Sequence, residues 1–279
     1  MSNAFSRLQK LLPQHGLSRL VGRFTSARHP WIRRPLISTI SRAYNISLSD
    51  AARKHPDDYL SFDDFFTREL AEGARPLPSN PNAIVSPADG TLSQCGDIQD
   101  RCLLQAKGIQ YRLGSLLEDE DLARRFDGGW FSTIYLAPAD YHRVHVPYDG
   151  RLIQSTAIPG ALFSVNGRTE AGIIGLFCRN ERLVCLFETE FGPMVVVLVG
   201  ALIVASIDTL WHGPISPYQR IETHQPDLPF ERGAELARFR MGSTAIVILP
   251  AGVAEARPEI IPGHRVRMGE TLAERSDGT

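Results

Sequence analysis

Ser243 follows Gly242 directly, opens the last 37 residues of the chain, and leads into the apolar, β-branched run Ala245-Ile246-Val247-Ile248-Leu249. A serine hydroxyl is a weak nucleophile that needs a base to activate it. Glycine lacks a Cβ, so the Gly242 carbonyl is open to close approach in a strained turn. Attack by Ser243 on that carbonyl would move the acyl group from nitrogen to oxygen. β-Elimination would then release the upstream chain as a carboxylate and leave dehydroalanine. Hydrolysis of its imine tautomer would give up ammonia and leave a pyruvoyl group at a new N-terminus. Such a ketone condenses with amines and withdraws electrons, work otherwise done by a bound cofactor. The pair alone is not specific. Gly114-Ser115 repeats it, and there Ser115 with Glu118 reads as a capping box opening an acidic helix from Leu116 to Phe126.

Two further islands hold groups suited to acid, base and orienting roles. Ser86-Pro87-Ala88-Asp89-Gly90 is a turn after the apolar Ala83-Ile84-Val85, and on its own it reads as an Asp bonding its own backbone. Tyr141-His142-Arg143-Val144-His145-Val146-Pro147 holds two of the eight histidines. Their spacing of three is not the i, i+4 pattern of a helical zinc pair, and no cysteine adjoins them, so a metal site is the weaker reading. In a regular strand His142 and His145 face opposite sides, whereas a turn brings both into one pocket. The residues leave both geometries open.

With these islands the chain resembles the bacterial, pyruvoyl-dependent phosphatidylserine decarboxylase proenzymes. The matching pieces run through most of its length: Phe65-Phe66-Thr67-Arg68 with Arg75-Pro76, Pro87 to Gly90, Gln105-Ala106-Lys107-Gly108, Tyr141 to Pro147, Pro159 to Asn166, Arg179 to Arg182, Glu190 to Met194, Val199-Gly200-Ala201 and Gly242-Ser243-Thr244. Met241 stands where the family usually has Leu, a substitution of similar size and apolarity. The resemblance implies a self-processing triad of Asp89, His145 and Ser243, with His145 taking the serine proton and Asp89 orienting the imidazole. It implies cleavage between Gly242 and Ser243 into a beta chain, 1–242, and an alpha chain, 243–279. It assigns His142 to decarboxylation, as a proton-transfer group or a ligand of the substrate phosphate. It also implies a covalent pyruvoyl cofactor made from Ser243, Schiff-base chemistry on phosphatidylserine yielding phosphatidylethanolamine and carbon dioxide, no metal, a barrel-like β-sandwich, and a homodimer of alpha/beta pairs. Ser164 and Asn166 are candidate headgroup contacts because their side chains can meet phosphate or carboxylate oxygens. A polar strand end is the alternative.

A lipid substrate requires a means of docking. Residues 1–49 hold eight basic residues (Arg7, Lys10, Arg19, Arg23, Arg28, Arg33, Arg34, Arg42) and no Asp or Glu, so the other 22 basic and all 31 acidic residues lie downstream. The near-neutral total conceals a strongly dipolar molecule. Interleaved Phe5, Leu8, Leu11, Leu12, Leu17, Leu20, Val21, Phe24, Trp31, Ile32, Leu36, Ile37 and Ile40 predict short amphipathic helices, broken at Pro13–Gly16 and Pro30–Pro35 and lying in a membrane interface. The segment 1–50 is therefore read as a basic membrane-association segment and 51–279 as the catalytic domain. The segment has no continuous apolar core or small-residue cleavage site of a secretory signal. It carries no nucleic-acid recognition motif. The 14-residue apolar run Met194–Ile207 is too short to span a bilayer and reads as buried strands with a bend. The four cysteines show no zinc or CxxC spacing and fit a reducing compartment. These readings place the protein, as a peripheral one, at the cytoplasmic face of a bacterial inner membrane.

Ser61-x-x-Asp64 opens a short helix with Phe62, Phe65, Phe66 and Leu70 at helical spacing. From about residue 82, β-branched runs between Gly and Pro recur at Ala83–Val85, Trp130–Leu136, Val144–Val146, Leu183–Phe187, Met194–Ile207 and Ala245–Pro250. The expected class is α+β: N-terminal amphipathic helices, then a mostly β core with one or two inserted helices. Two rival functions share some of these features. A pyruvoyl decarboxylase of a soluble amino acid has no use for the basic N-terminus. A phosphocarrier or other non-enzymatic β-domain, using His142 or His145, leaves Gly242-Ser243 intact.

Overall fold

The computed structural model describes residues 14–201, 207–211, 213, 217–240 and 243–276. Among the described residues two helices come first, α1 (Gln14–Thr25) and α2 (Pro30–Tyr44). The break between them falls at 26–29, not at the expected proline pair. Pro30 occupies the first turn of α2, where a missing N–H leaves no helical bond unmade, and the His29 side chain accepts from the Trp31 amide. The helix continues through Pro35, which removes one ladder bond only a turn from an end open to water. Gly16 lies inside α1. Expected docking residues at 1–13, including Arg7 and Lys10, lie outside the described residues.

Helix α3 (Phe62–Phe66) starts as its sequence predicts, with Ser61 Oγ accepting from the Asp64 amide at 3.1 Å. Its three phenylalanines bury against Tyr59 and Ile37 of α2, forming a small core that ties the N-terminal helices to the body.

The strands that position the site are β1 (Ala83–Val85), β2 (Gly90–Asp97), β3 (Trp130–Leu136), β4 (Arg143–His145), β5 (Gly150–Ile158), β6 (Arg182–Thr189), β7 (Gly192–Val199), β8 (Glu235–Phe239) and β9 (Ser243–Leu249). A nine-stranded antiparallel sheet has the internal order β5-β6-β7-β9-β3-β2. Glu222–His224 and Leu228–Phe230 pair on β5, and Arg265–Val266 on β2. These two edges do not meet, so among the described residues the sheet stays open and the barrel-like closure is not found.

Both faces of this sheet are covered. Ala245, Val247 and Leu249 of β9 enter one hydrophobic core, while Ile246 and Ile248 enter the other. The two-residue period of a strand thus explains why β9 reads as an unbroken apolar run. A smaller sheet with order Ile207–Thr209, β8, β4 carries the histidine heptapeptide. The run expected at Met194–Ile207 ends its first strand at Val199 and begins another at Ile207, with 202–206 outside the described residues.

The acidic helix expected from Leu116 to Phe126 is two helices, α4 (Leu113–Leu117) and α5 (Glu120–Arg124). Ser115 is inside α4 and caps nothing. Glu118 turns left-handed at φ 53° to end α4, and Asp119 accepts from the Asp121 and Leu122 amides to start α5. Two caps one residue apart outcompete the single Ser115 box.

Candidate active site

Two connections run between the large and small sheets, and both are pinned at each end. One leads from Leu136 at the end of β3 to His142 before β4, the other from Phe239 at the end of β8 to Ser243 at the head of β9. Ser243 is in register with Leu136. The Phe239 amide donates to the His142 carbonyl at 2.9 Å. Ser243 and the histidine heptapeptide, about a hundred residues apart in sequence, thus lie one connection apart. Met241 and Gly242, the upstream side of the expected cleavage site, lie outside the described residues.

Ser243 is fully buried, and its Oγ has no hydrogen-bond partner among the described residues. Its neighbour Thr244 is buried with an equally unpartnered Oγ1. An orphaned buried hydroxyl is costly unless it has work to do. Its position fits a residue from which a pyruvoyl group is made: a strand head that keeps the new terminus inside the fold.

His142 is fully buried, stacked against Phe66 with ring centroids 4.0 Å apart. Its Nδ1 lies 2.8 Å from the Asp140 carbonyl, which can only accept, so Nδ1 carries the proton and Nε2 is a bare lone pair. That Nε2 is buried without a partner. Burial first, then the nearby Arg68 cation, push the imidazole down to about 3. It is neutral throughout the physiological range.

His145, at the end of β4, has a different environment. Its Nδ1 donates to the Gly233 carbonyl at 2.8 Å, so Nε2 accepts from the Tyr141 hydroxyl at 3.0 Å. Gly233 can offer that carbonyl because it turns at φ +80°, where a Cβ would also collide with Leu77. Burial is the largest influence on His145 and lowers its basicity. The two histidines share no side-chain partner.

Asp89 sits in the loop before β2. The loop is clasped to β4 by a bond from the His145 amide to the Pro87 carbonyl, 2.8 Å. Gly90 follows because a Cβ there would meet the Tyr135 carbonyl of β3. The Asp89 carboxylate itself is held by Arg75, whose Nε and Nη2 reach Oδ1 and Oδ2 at 3.0 and 2.5 Å, and by the Met268 amide at 2.8 Å. The Arg75 guanidinium also binds Asp50. The expected members Asp89, His145 and Ser243 are therefore neighbours by backbone, while no hydrogen bond joins their side chains. Asp89 acts on His145 only through its charge, which favours the protonated imidazole.

Asn166, an expected headgroup contact, is engaged locally instead. Asn166 Oδ1 caps the short helix Gly167–Glu170, accepting from the Thr169 amide at 3.0 Å and its hydroxyl at 3.2 Å. Sequence reasoning missed Arg75 as the partner of Asp89 and Tyr141 as the partner of His145, although both were inside quoted motifs. It also missed Asp140, buried between the Ala137 amide and Arg265. Among the described residues no group of His, Cys, Asp and Glu could hold a metal.

A cleft of about 420 Å³ opens beside the cluster. It is lined by Asp89, Asp140 and Tyr141 together with Arg68, Arg75, Arg265 and Arg267.

A family model described as phosphatidylserine decarboxylase matches residues 62–274, and a second, described as PSD, matches residues 4–45. The chain is 49% identical to a phosphatidylserine decarboxylase proenzyme of Psychrobacter arcticus over 97% of its own length and 98% of the relative's. It is 46% identical to the proenzymes of Saccharophagus degradans, over 97% and 96%, and Methylococcus capsulatus, over 96% and 95%. The family model spans Asp89, both histidines and Ser243, so the cluster described above lies wholly within the matched region, and the chain belongs to the phosphatidylserine decarboxylase family.

Proposed function

We propose that this chain is a proenzyme that cleaves itself between Gly242 and Ser243 and then decarboxylates phosphatidylserine to phosphatidylethanolamine. The observation that carries the reading is the buried, unpartnered Ser243 Oγ at the head of β9, tied through Leu136 and Phe239 to the connection bearing His142. In the processed enzyme the pyruvoyl group supplies a ketone able to condense with the headgroup amine and to withdraw the electrons left when carbon dioxide departs. The chain's own residues do the rest. His145 Nε2 takes the Ser243 proton once Tyr141 releases it. Asp89 stabilises the resulting imidazolium by its charge, at a distance that Arg75 sets. His142, bare at Nε2 and neutral, is an acceptor. A phosphate diester has no proton to give it, which favours proton transfer over phosphate binding as its role.

The N-terminal helices serve docking in this reading. Leu20 and Phe24, one turn apart on α1, and Trp31 and Ile32 at the start of α2 are exposed, with Trp31 at 87%. Exposed Arg23 and Arg42 lie on the same two helices, and exposed Arg28 on the connection between them. Apolar side chains that insert, flanked by cations that meet anionic headgroups, form a peripheral membrane anchor. No described helix is long and apolar enough to cross a membrane. The cytoplasmic face of a bacterial inner membrane and a homodimer of alpha/beta pairs complete the proposal.

Intact-mass spectrometry of the purified protein tests it. Fragments of 242 and 37 residues are expected, the smaller one blocked to Edman degradation. A single intact chain from a preparation that decarboxylates phosphatidylserine would refute the reading.

A further inference from the structure

Arg68 follows α3 and is 5% exposed. Its Nη2 donates to the backbone carbonyls of Ala139 and Asp140 at 3.0 and 3.2 Å, and its guanidinium lies over the Phe65 ring at 5.9 Å. Its Nη1 is buried and has no partner. Among the described residues no carboxylate comes within ion-pair distance of it, whereas Arg75 and Arg265, lining the same cleft, hold two and one respectively. Burial penalises its charge. A buried guanidinium with an empty donor and no carboxylate in direct contact is among the more expensive arrangements a fold can keep.

The placement of Arg68 indicates what compensates this cost. The Asp140 carbonyl that accepts from Nη2 also accepts from His142 Nδ1, so Arg68 and His142 share one backbone oxygen. Arg68 lines the cleft beside the site, and the Arg267 guanidinium, which makes no hydrogen bond or ion pair among the described residues, lines it too. Serine, asparagine and backbone groups at Asn45, Ser47 and Ser49 form another part of its wall. A planar guanidinium held by two carbonyls is pre-oriented for a phosphate or carboxylate oxygen.

We propose that Arg68 binds an oxyanion of the substrate headgroup in this cleft and so sets the headgroup against His142. The inference rests on the decarboxylase reading for the identity of the headgroup and on the geometry alone for the anion site. A phosphodiester oxygen and the serine carboxylate share the required chemistry.

The test uses the full-length Ser243→Ala chain, which can neither cleave nor condense with amines, so binding is read apart from turnover. Glycerophosphoethanolamine carries the phosphodiester without the carboxylate, and free serine the carboxylate without the phosphodiester. Each is titrated by calorimetry into this chain and into the same chain with Arg68→Gln or Arg68→Lys. A charge-assisted hydrogen bond implies a roughly 10- to 100-fold weaker affinity in Arg68→Gln, partly restored in Arg68→Lys, for one of the two probes. Loss confined to glycerophosphoethanolamine identifies the phosphodiester, and loss confined to serine the carboxylate. Unchanged affinity for both in a folded Arg68→Gln chain overturns the proposal. Should neither substituted chain fold, a crystal structure of the Ser243→Ala chain with glycerophosphoethanolamine and serine decides. An anionic oxygen within hydrogen-bond distance of the Arg68 guanidinium supports the proposal, and anions bound only elsewhere, or none, overturn it.

Discussion

The Tyr141 hydroxyl donates to Nε2 of His145, four residues on, and thereby occupies the lone pair that base catalysis would need. Because Nδ1 is committed to the Gly233 carbonyl, the imidazole cannot turn its other nitrogen to the task without losing a bond. Burial pushes the Tyr141 phenol well above its ordinary value, so it remains a donor at neutral pH. In the proposed self-cleavage Tyr141 is a positioning residue that holds His145 closed as a base.

Removing that donor frees the base. Tyr141→Phe is expected to speed self-cleavage by roughly fivefold, the equivalent of one hydrogen bond of about 1 kcal/mol. A time course of the intact and split chains on a denaturing gel, after synthesis in a cell-free system, measures it. A slower split would mean that the hydroxyl takes part in the proton path.

The remaining site residues divide by step. Ser243→Ala abolishes both processing and activity, since no hydroxyl is left to start the acyl shift. His145→Ala and Asp89→Ala accumulate full-length chain. His142→Ala splits into two chains yet decarboxylates at least a hundredfold more slowly, a magnitude typical of a lost proton-transfer group. Equal stalling of His142→Ala and His145→Ala at full length would show that His142 serves cleavage or folding instead.

Acid should weaken the fold through His142. Its folded-state value near 3 lies below the ordinary 6.5, so below pH 6.5 the unfolded chain takes up a proton that the folded chain refuses. The stabilisation is complete above about pH 6.5 and is lost as pH falls toward 3, at about 1.4 kcal/mol per unit. His145, also depressed by burial, acts in the same direction. Urea unfolding of wild type and His142→Gln between pH 7 and 5 measures the difference. The stability gap between the two should narrow with acid. In the processed enzyme the same neutrality means that kcat shows no acid limb from His142 between pH 5.5 and 8.

For membrane docking the structure selects which arginines to change. Arg33 donates to the Tyr59 carbonyl and Arg34 pairs with Asp57 at 2.7 Å, so substituting either disturbs the attachment of α2. Replacing Arg23, Arg28 and Arg42 by Gln should reduce binding to anionic vesicles at low salt, because exposed charges are screened over about 8 Å at physiological ionic strength. Trp31→Ala with Phe24→Ala should remove the part that persists in high salt. Activity on a short-chain soluble phosphatidylserine stays unchanged in both sets. Equal losses on bilayer and soluble substrate would assign these residues to the catalytic fold.

Much of the architecture was legible in the residues. Apart from Met194–Ile207, whose first strand ends at Val199, the β-branched runs are strands within a few residues of their expected bounds, since a strand covered on both faces has to be apolar at every position, as β9 is. The helix at Phe62 was legible from one local hydrogen bond, Ser61 to Asp64. Where two local signals competed, sequence reasoning failed: a left-handed Glu118 and the Asp119 cap split the helix that Ser115 was expected to open, and Pro30 began a helix it was expected to break.

The candidate site followed the same division. Local chemistry singled out Ser243, His142, His145 and Asp89, because a hydroxyl after glycine, an imidazole pair and a turn carboxylate are recognisable one motif at a time. Apart from the local contacts of His142 with Asp140 and of Tyr141 with His145, which partner each side chain holds was decided by tertiary structure. Asp89 pairs with Arg75 across 14 residues, His145 with Gly233 across 88, and Arg68 reaches the Ala139 carbonyl across 71. A hydrogen bond depends on placement within a few tenths of an ångström, and no periodicity in a chain encodes placement between segments that meet only when the two sheets pack.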